Sequence, residues 1–571
     1  MTKIYTLLSV FNSKVLKKLF VFIFLHFAIL FPVQSIAQPA DWQWGVGAVG
    51  SAFGAGTSVC TDSSGFIYVS GRFRTPTIVL GNVTLMNTDV TGNTYDIFIV
   101  KYDSYGSVVW AKSAGGIGDE SAFICMDPSG MIYFHGNFSS ANPIFGTFTL
   151  SNVGSNDIFI AKCDQSGDFI WAHSFGGTGD DWSVDLCADN SENIYLTGVF
   201  RSSSILFGSN TLTNPSVEEI YIVKIDSSGN VSWAKKAGGI SGGNRVEDIS
   251  CNSNGSVFVT GEFNGASISF GSTVLNRIGY EDIFIAKYNG SGNLQWATSF
   301  AGTQYVDCSS ISAGDSGEVY ITGGFNDASI NFGSTTLVNS DVTGYYSDGF
   351  IARVDSAGSV VWAKSFGSAT FGDGGSSISV GRWGNIFVTG YIGAGTPYYP
   401  QTINFGSVTV SNTHWIDATF LIQLDANGNV QGGSTLPVWG KVFTDKIGNV
   451  FMTGSFMYDP LAMGTNVLHW YGGWSYFMAK YDGVTGMQSY TQNNSVGIYP
   501  NPTNGKFIIK LENFSGKSQT ELYNMLGEKI FADEFLNNEM EIDLSNQPKG
   551  IYSYRIFDEN GEVSSGKVVV Q

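Results

Sequence analysis

The sequence predicts an all-β protein, a seven-bladed β-propeller followed by a small Ig-like β-sandwich, and three observations carry that expectation. The 571 residues include 72 Gly while charged residues make up only 13%, a balance suited to many short strands joined by tight turns rather than to long solvated helices. Runs of β-branched and aromatic residues recur with a period of about sixty residues. The recurrence stops near Asn493-Asn494, where Lys and Glu become frequent and Trp disappears. The organisation expected is residues 1–37, then 38–494, then 495–571.

At the N-terminus, Lys14, Lys17 and Lys18 precede an apolar run from Leu19 to Val33 and the small-residue segment Ser35-Ile36-Ala37. That order is the signature of a secretory signal peptide, residues 1–37. No later stretch is apolar and long enough to cross a bilayer as a helix, so no transmembrane helix is expected in the mature chain. Next, Asp41-Trp-Gln-Trp-Gly45 repeats the last strand of the periodic unit with no earlier strands before it. It reads as a closing strand that pairs in the sheet of the seventh repeat, because an unclosed ring would leave open edges. Met487-Gln-Ser-Tyr490 competes for the same role.

Four landmarks define the repeat. A strand ending in Gly recurs at Gly71, Gly136, Gly198, Gly261, Gly323, Gly390 and Gly454, and a Phe-Gly-like pair at Gly81, Gly146, Gly208, Gly271, Gly333, Gly406 and Gly464. Asp-Ile-Phe-Ile-Ala-Lys or a variant opens at Asp96, Asp157, Glu219, Asp282, Asp348 and Asp417. Trp-Ala-Lys-Ser or a variant opens at Trp110, Trp171, Trp233, Trp296 and Trp362, and repeats six and seven lack it. Each repeat therefore reads as strands A to D, with both faces apolar where sheets pack against neighbours. Asp62-Ser-Ser-Gly65 and Asp103-Ser-Tyr-Gly106 read as hairpin turns rather than calcium ligands, because they recur at every turn.

The formal net charge of −19 excludes nucleic acid as a partner, since a phosphate backbone is held by clustered Lys and Arg. Cys60, Cys125 and Cys187 fall at one place in successive repeats and read as small buried hydrophobes. The six cysteines are expected as free thiols, with Cys163 and Cys187 the pair worth testing for a bridge.

The repeat resembles the bacterial SBBP-type β-propeller repeats in its Asp-x-x-Gly-x-x-Tyr-Val-Thr-Gly-x-Phe core and the elements that follow. That family implies the fold and carries no shared catalytic residues. The tail, through Ile498-Tyr-Pro-Asn-Pro-Thr-Asn-Gly-Lys-Phe507, Leu522-Tyr-Asn-Met-Leu-Gly527, Lys549-Gly-Ile-Tyr552 and Gly566-Lys-Val-Val-Val-Gln571, resembles the type A C-terminal sorting domains of type IX secretion. The resemblance implies a Bacteroidetes-like host, type IX secretion machinery as a partner through residues 497–571, and release or attachment at the outer-membrane surface.

The A-to-B and C-to-D turns fall on one face of the disc, and the D-to-A and long B-to-C loops on the other, where function is expected. Two clusters compete there. Asp119, Glu120, Asp180, Asp181, Glu247, Asp248, Asp307 and Asp373 precede or open the inner strands. They form a ring able to take a hard cation such as Ca2+, or a solvated acidic rim. Among them Asp119, Asp180, Asp181, Asp307 and Asp373 are the candidate metal ligands, and no cofactor is required. The aromatic cluster is Tyr398, Tyr399, His414, Trp415, His469, Trp470, Tyr471 and Trp474, whose rings suit stacking on sugars or gripping a protein. No nucleophile elbow, metal-binding His pair or phosphate loop is present. The function expected is a secreted or cell-surface non-catalytic binding protein engaging an extracellular glycan or protein. The alternatives are a secreted polysaccharide-acting hydrolase or lyase using rim carboxylates, and a purely structural surface protein.

Overall fold

The structure is a computed structural model. It describes residues 42–481 apart from 50–52, 240–241, 342, 382–383, 397, 407, 446–447 and 465, and residues 495–570 apart from 500–502, 513–517, 525–528, 536–538 and 559–560. The expected signal peptide and the competing strand at Met487–Tyr490 lie outside the described residues. The chain divides into two compact bodies, residues 1–484 and 485–571.

In the first body every repeat forms one antiparallel sheet with strands in the order A-B-C-D. Repeat three shows the pattern: Asp181–Ala188, Ile194–Phe200, Glu219–Ile225 and Val231–Ala237. Equivalent sheets span residues 54–114, 120–175, 244–301, 306–366 and 374–436, and a further one holds Val438–Thr444, Val450–Phe456 and Ser475–Tyr481. The A strands pack side by side in sequence order, and that of repeat seven returns to that of repeat one. The arrangement is propeller-like.

Strand B is buried on both faces, all seven residues of Ile194–Phe200 included, which is why its sequence is continuously apolar. Each apolar cluster fills the gap between two sheets, as where Tyr133, Ile158 and Ile160 meet Leu186, Ile194 and Leu196. The strand-ending glycine has a steric cause. A carbonyl of strand A lies over strand B, and a β-carbon on Gly198 would lie 2.0 Å from Trp182 O, so only Gly fits.

Closure uses the N-terminal strand. Trp42–Val49 pairs antiparallel with strand C of repeat seven, through Gly45↔Ala479 and Gly47↔Phe477, and its end pairs with the B-to-C hairpin of repeat one, Ala48↔Leu80. It therefore supplies strand D of the seventh sheet, as the sequence led us to expect.

The repeated Trp holds neighbouring sheets together. Trp110 Nε1 donates to Gln165 O at 3.1 Å, and Trp171, Trp233, Trp296 and Trp362 donate to Ser227 O, Gly290 O, Ser356 O and Ala426 O. Each acceptor sits in the C-to-D turn of the next repeat. The basic residue opposite the Trp on strand C reaches the same carbonyl, as Lys162 Nζ does Ser227 O at 3.0 Å and Lys224 Nζ does Gly290 O at 3.0 Å. The expected loss of Trp from repeat seven is corrected by this register. Trp44, paired with Lys480, occupies the position and donates to Ser104 O at 3.2 Å. Repeat six does lack the clamp, with Gln423 and Gly432 in those places.

Several acids of the repeat serve its loops. Glu120 and Asp181 open their A strands and Asp373 directly precedes one; all three are buried. Asp181 accepts from Gly177 N, Ser202 Oγ, Arg201 N and Ser202 N, tying the D-to-A loop to the B-to-C loop. Burial pushes Glu120 and Asp373 up to about 7.

In the second body, Ser495–Tyr499, Lys506–Glu512 and Glu539–Asp543 form one sheet, and Lys529–Glu534, Gln519–Tyr523, Gly550–Asp558 and Gly561–Val570 another. Phe507, Ile509, Leu522, Ile542, Tyr552 and Val568 contribute to one apolar core.

Two outcomes are expected. Trp44→Phe removes one hydrogen bond and should cost about 1 kcal/mol, whereas Trp44→Ala should cost about 3–5 kcal/mol, both read from denaturant unfolding of the first body. The second concerns pH. The folded chain keeps the Glu120 and Asp373 protons up to about pH 7, while the unfolded chain releases them in the ordinary carboxyl range. The folded state thus binds more protons in that window, and stability falls as pH rises through it. Thermal unfolding should show a higher Tm at pH 5 than at pH 8, and Glu120→Gln should shrink the difference.

Candidate functional site

The B-to-C loops of repeats six and seven carry the aromatic residues that depart from the repeat, and polar side chains fix the course of both. In repeat six the buried Asn412 donates through Nδ2 to Gly393 O and Ile416 O, both at 2.8 Å, and accepts from His414 N at 2.9 Å. Ala394 N donates to Asp417 Oδ1. Trp415 projects from this braced turn with 78% of its surface exposed. In repeat seven Asp459 Oδ1 lies 3.1 Å from His469 Nδ1 and accepts from Trp470 N, while Trp470 Nε1 donates to Gly473 O at 2.7 Å.

The two loops meet. Partial burial lowers the pKa of His414, and its ring packs edge-on to Tyr458 with centroids 4.9 Å apart. Beyond Tyr458 the strip runs through Asp459, Trp470 and Gly473 to Trp474, whose ring lies 4.7 Å from that of Trp439. Trp474 is 40% exposed, and its carbonyl accepts from Gly54 N of repeat one at 2.7 Å. Trp415, Trp470, Tyr471 and Trp474 are all exposed on the loop face, as are Tyr398 and Tyr399. The last two occupy a separate turn closed on Thr396.

The expected ring of metal ligands is not assembled. Among the described residues no group of three or more His, Cys, Asp or Glu is disposed to hold a metal ion. Asp181 is buried and its oxygens accept loop N–H and O–H groups, and Asp373 is likewise buried. Asp119 accepts from Tyr95 N at 2.9 Å, Asp180 from Asn156 Nδ2 at 3.2 Å, and Asp307 from Gly324 N at 2.9 Å. Asp119 and Asp180 thus accept from the long loop of the preceding repeat and Asp307 from its own strand B, so each is engaged with a different neighbour.

The central channel holds polar residues beyond Glu247, Asp248 and Asp307, which the sequence places on its rim. The strand A position opposite the strand B Thr or its counterpart is Ser58, Phe123, Asp185, Asp248, Ser310, Ser377 and Lys441 around the sheets, and in all but repeats two and seven it follows a bulge. Asp185 and Asp248 share a hydrogen bond and burial pushes both up; Asp248 Oδ2 also accepts from Ser310 Oγ and Ile311 N. His135 replaces the strand B Thr, stacks on Phe123 at 5.4 Å, and is driven down to about 3 by burial and the charge of Lys441. Nearer the loop face, Glu262 is raised to about 8 by burial and by Glu247 and Asp307, while burial raises Asp307 to about 6. Subtracting the repeat exposes His135, since every other repeat places a Ser or Thr there. All six cysteines, Cys163 and Cys187 included, are free.

Comparison with known proteins bears on the tail first. Residues 497–571 match the secretion system C-terminal sorting domain. The chain is 24% identical over 520 residues to an uncharacterized WD repeat-containing protein of Acanthamoeba polyphaga mimivirus, covering 75% of this chain and 37% of that relative. It thus spans little more than a third of the relative's length. Among solved structures, an ulvan lyase of a new polysaccharide lyase family is similar at a TM-score of 0.40 and 11% identity, over 75% of this chain and 97% of the other. PorZ, a surface component of the type IX secretion system of Porphyromonas gingivalis, is similar at a TM-score of 0.28 and 10% identity, over 90% and 75%. Residues 497–571 are a secretion system C-terminal sorting domain, and the protein is exported through type IX secretion to the cell surface or the extracellular space.

Proposed function

We propose that the protein is a non-catalytic binding protein that holds an extracellular polysaccharide on the aromatic strip of repeats six and seven. In this reading the first body is a seven-bladed β-propeller of the SBBP-repeat type from a Bacteroidetes-like host, and the second an Ig-like sorting domain. The observation that carries the proposal is the exposure of Trp415, Trp470, Tyr471 and Trp474 on loops braced by Asn412 and Asp459. Large rings left in water are costly unless something covers them. Their flat faces match the C–H faces of sugar rings, and their polar edges tolerate a wet, hydroxyl-rich ligand. The bracing lowers the entropy lost when a ligand orders the loops.

One observation favours a second reading, a secreted polysaccharide hydrolase or lyase. Glu262, raised to about 8, and Asp307, raised to about 6, are a pair whose environments push the protonation states apart near neutrality, as an acid and a base require. Release of new chain ends from a bound polysaccharide, abolished by Glu262→Gln, would establish that reading over simple binding.

A glycan array with the mature protein, run with and without calcium, should identify retained polysaccharides. Trp415→Ala, Trp470→Ala and Trp474→Ala should each weaken binding by about 1–3 kcal/mol with the unfolding midpoint little changed; full affinity in the triple variant would move the site elsewhere. Export gives a separate expectation. Deleting residues 497–571 should leave a folded first body in the periplasm of the native host, measured by fractionation, and surface delivery of the shortened chain would contradict it.

A further inference from the structure

We infer that the strip takes an anionic polysaccharide, whose acidic group is held by Arg72 and Arg74 of repeat one. The inference rests on the glycan-binding reading above and adds the chemical class of the ligand.

The aromatic strip does not end at Trp474. Phe53 bridges to Trp474 along the backbone and is itself exposed. Arg74 lies with its guanidinium carbon 6.0 Å from the Phe53 ring centre and 5.8 Å from that of Tyr95, and Arg72 lies 4.7 Å from the Tyr95 ring. Contacts thus run without a break from Trp439 through Trp474 and Phe53 to two arginines.

Those arginines lack the partner their chemistry asks for. Acidic residues outnumber basic ones 48 to 29 in this chain, yet among the described residues neither guanidinium has a carboxylate within ion-pair distance. The acid nearest in the chain of contacts, Asp119, is engaged by Tyr95 N. Arg72 is exposed and Arg74 half-buried. An arginine stacked on an aromatic face keeps its planar fork of N–H donors fixed and directed outward. Two such forks beside a stacking platform suit a carboxylate or a sulfate half-ester, each of which accepts paired N–H donors. A neutral glycan would leave both cations unanswered. General electrostatic attraction cannot account for such binding, because a net charge of −19 repels a polyanion everywhere else.

Titration calorimetry of the full chain with polygalacturonate, dextran sulfate and neutral dextran tests this. At least one anionic polymer should bind tenfold or more tighter than dextran, with affinity falling as salt rises, and the two anionic arms separate carboxylate from sulfate. The double variant Arg72→Gln/Arg74→Gln should lose about tenfold to a hundredfold for that polymer, with an unchanged Tm, and Arg72→Lys/Arg74→Lys should recover part of the loss. Dextran binding as tightly as the polyanions, or a double Gln variant with full affinity, would overturn the anionic class while leaving the stacking reading intact. Retention of none of the three polymers would overturn the glycan reading and this inference with it.

Discussion

Cohesion of the first body depends on one repeated interaction: in the C-to-D turns of repeats two to six a carbonyl receives the indole N–H of a Trp on the preceding sheet and, from the same sheet, a basic side chain. Apolar packing between sheets is strong but non-directional, and it tolerates sliding. A hydrogen bond from a ring that is itself wedged into the gap fixes how far along the radius one sheet sits on the next. Because the charge of the Lys or Arg is shared with a buried-side carbonyl, the contact is stronger than a neutral bond at the same place. Trp44, brought from the far end of the chain, makes the same contact with Ser104 O and so turns a row of sheets into a closed one.

The joint where this device is missing is the one the candidate site occupies. Repeat six offers Gln423 and Gly432 in place of the basic residue and the Trp. Other contacts cross to repeat seven there: Thr419 Oγ1 donates to Val438 O, Ser377 Oγ donates to Val442 O, and His414 packs against Tyr458. The last of these belongs to the loops. Local rules of the repeat are thus set aside at the joint that carries the exposed loop aromatics.

Acidic residues fall into two sorts that look alike in the primary structure. Asp62, Asp103 and Asp89 close turns by accepting neighbouring N–H groups, Asp181 ties two loops, and Asp96 holds Thr88. These accept hydrogen bonds from groups close to them in their own loops. Asp185 and Asp248 instead meet each other across two sheets through a shared hydrogen bond, and the charge of Glu247 raises Glu262. The first sort explains why a recurring Asp-x-Ser-Gly does not report calcium. The second explains the raised carboxyls of repeats three to five.

The sequence by itself determined the strand order of the repeat, the glycine positions and the sorting tail, and it narrowed the closing strand to two candidates. Each rests on spacing along the chain: alternation within strands, turn residues at fixed offsets, and a terminal motif in order. It also placed the exposed aromatics on loops, because Trp415 and Trp470 stand outside the repeat. The acceptor of each Trp was not legible, since a carbonyl about sixty residues away carries no side-chain signature. For the same reason Trp44 was not recognised as the Trp of repeat seven. Nor was the layer formed by Phe123, Asp185, Asp248 and Lys441, which come together only when the ring of sheets closes. The tertiary structure alone decided which acids are spent on their own loops and which face the channel. It alone brought Arg72 and Arg74 beside Phe53 and Trp474, because residues some four hundred positions apart become neighbours only through closure of the sheets.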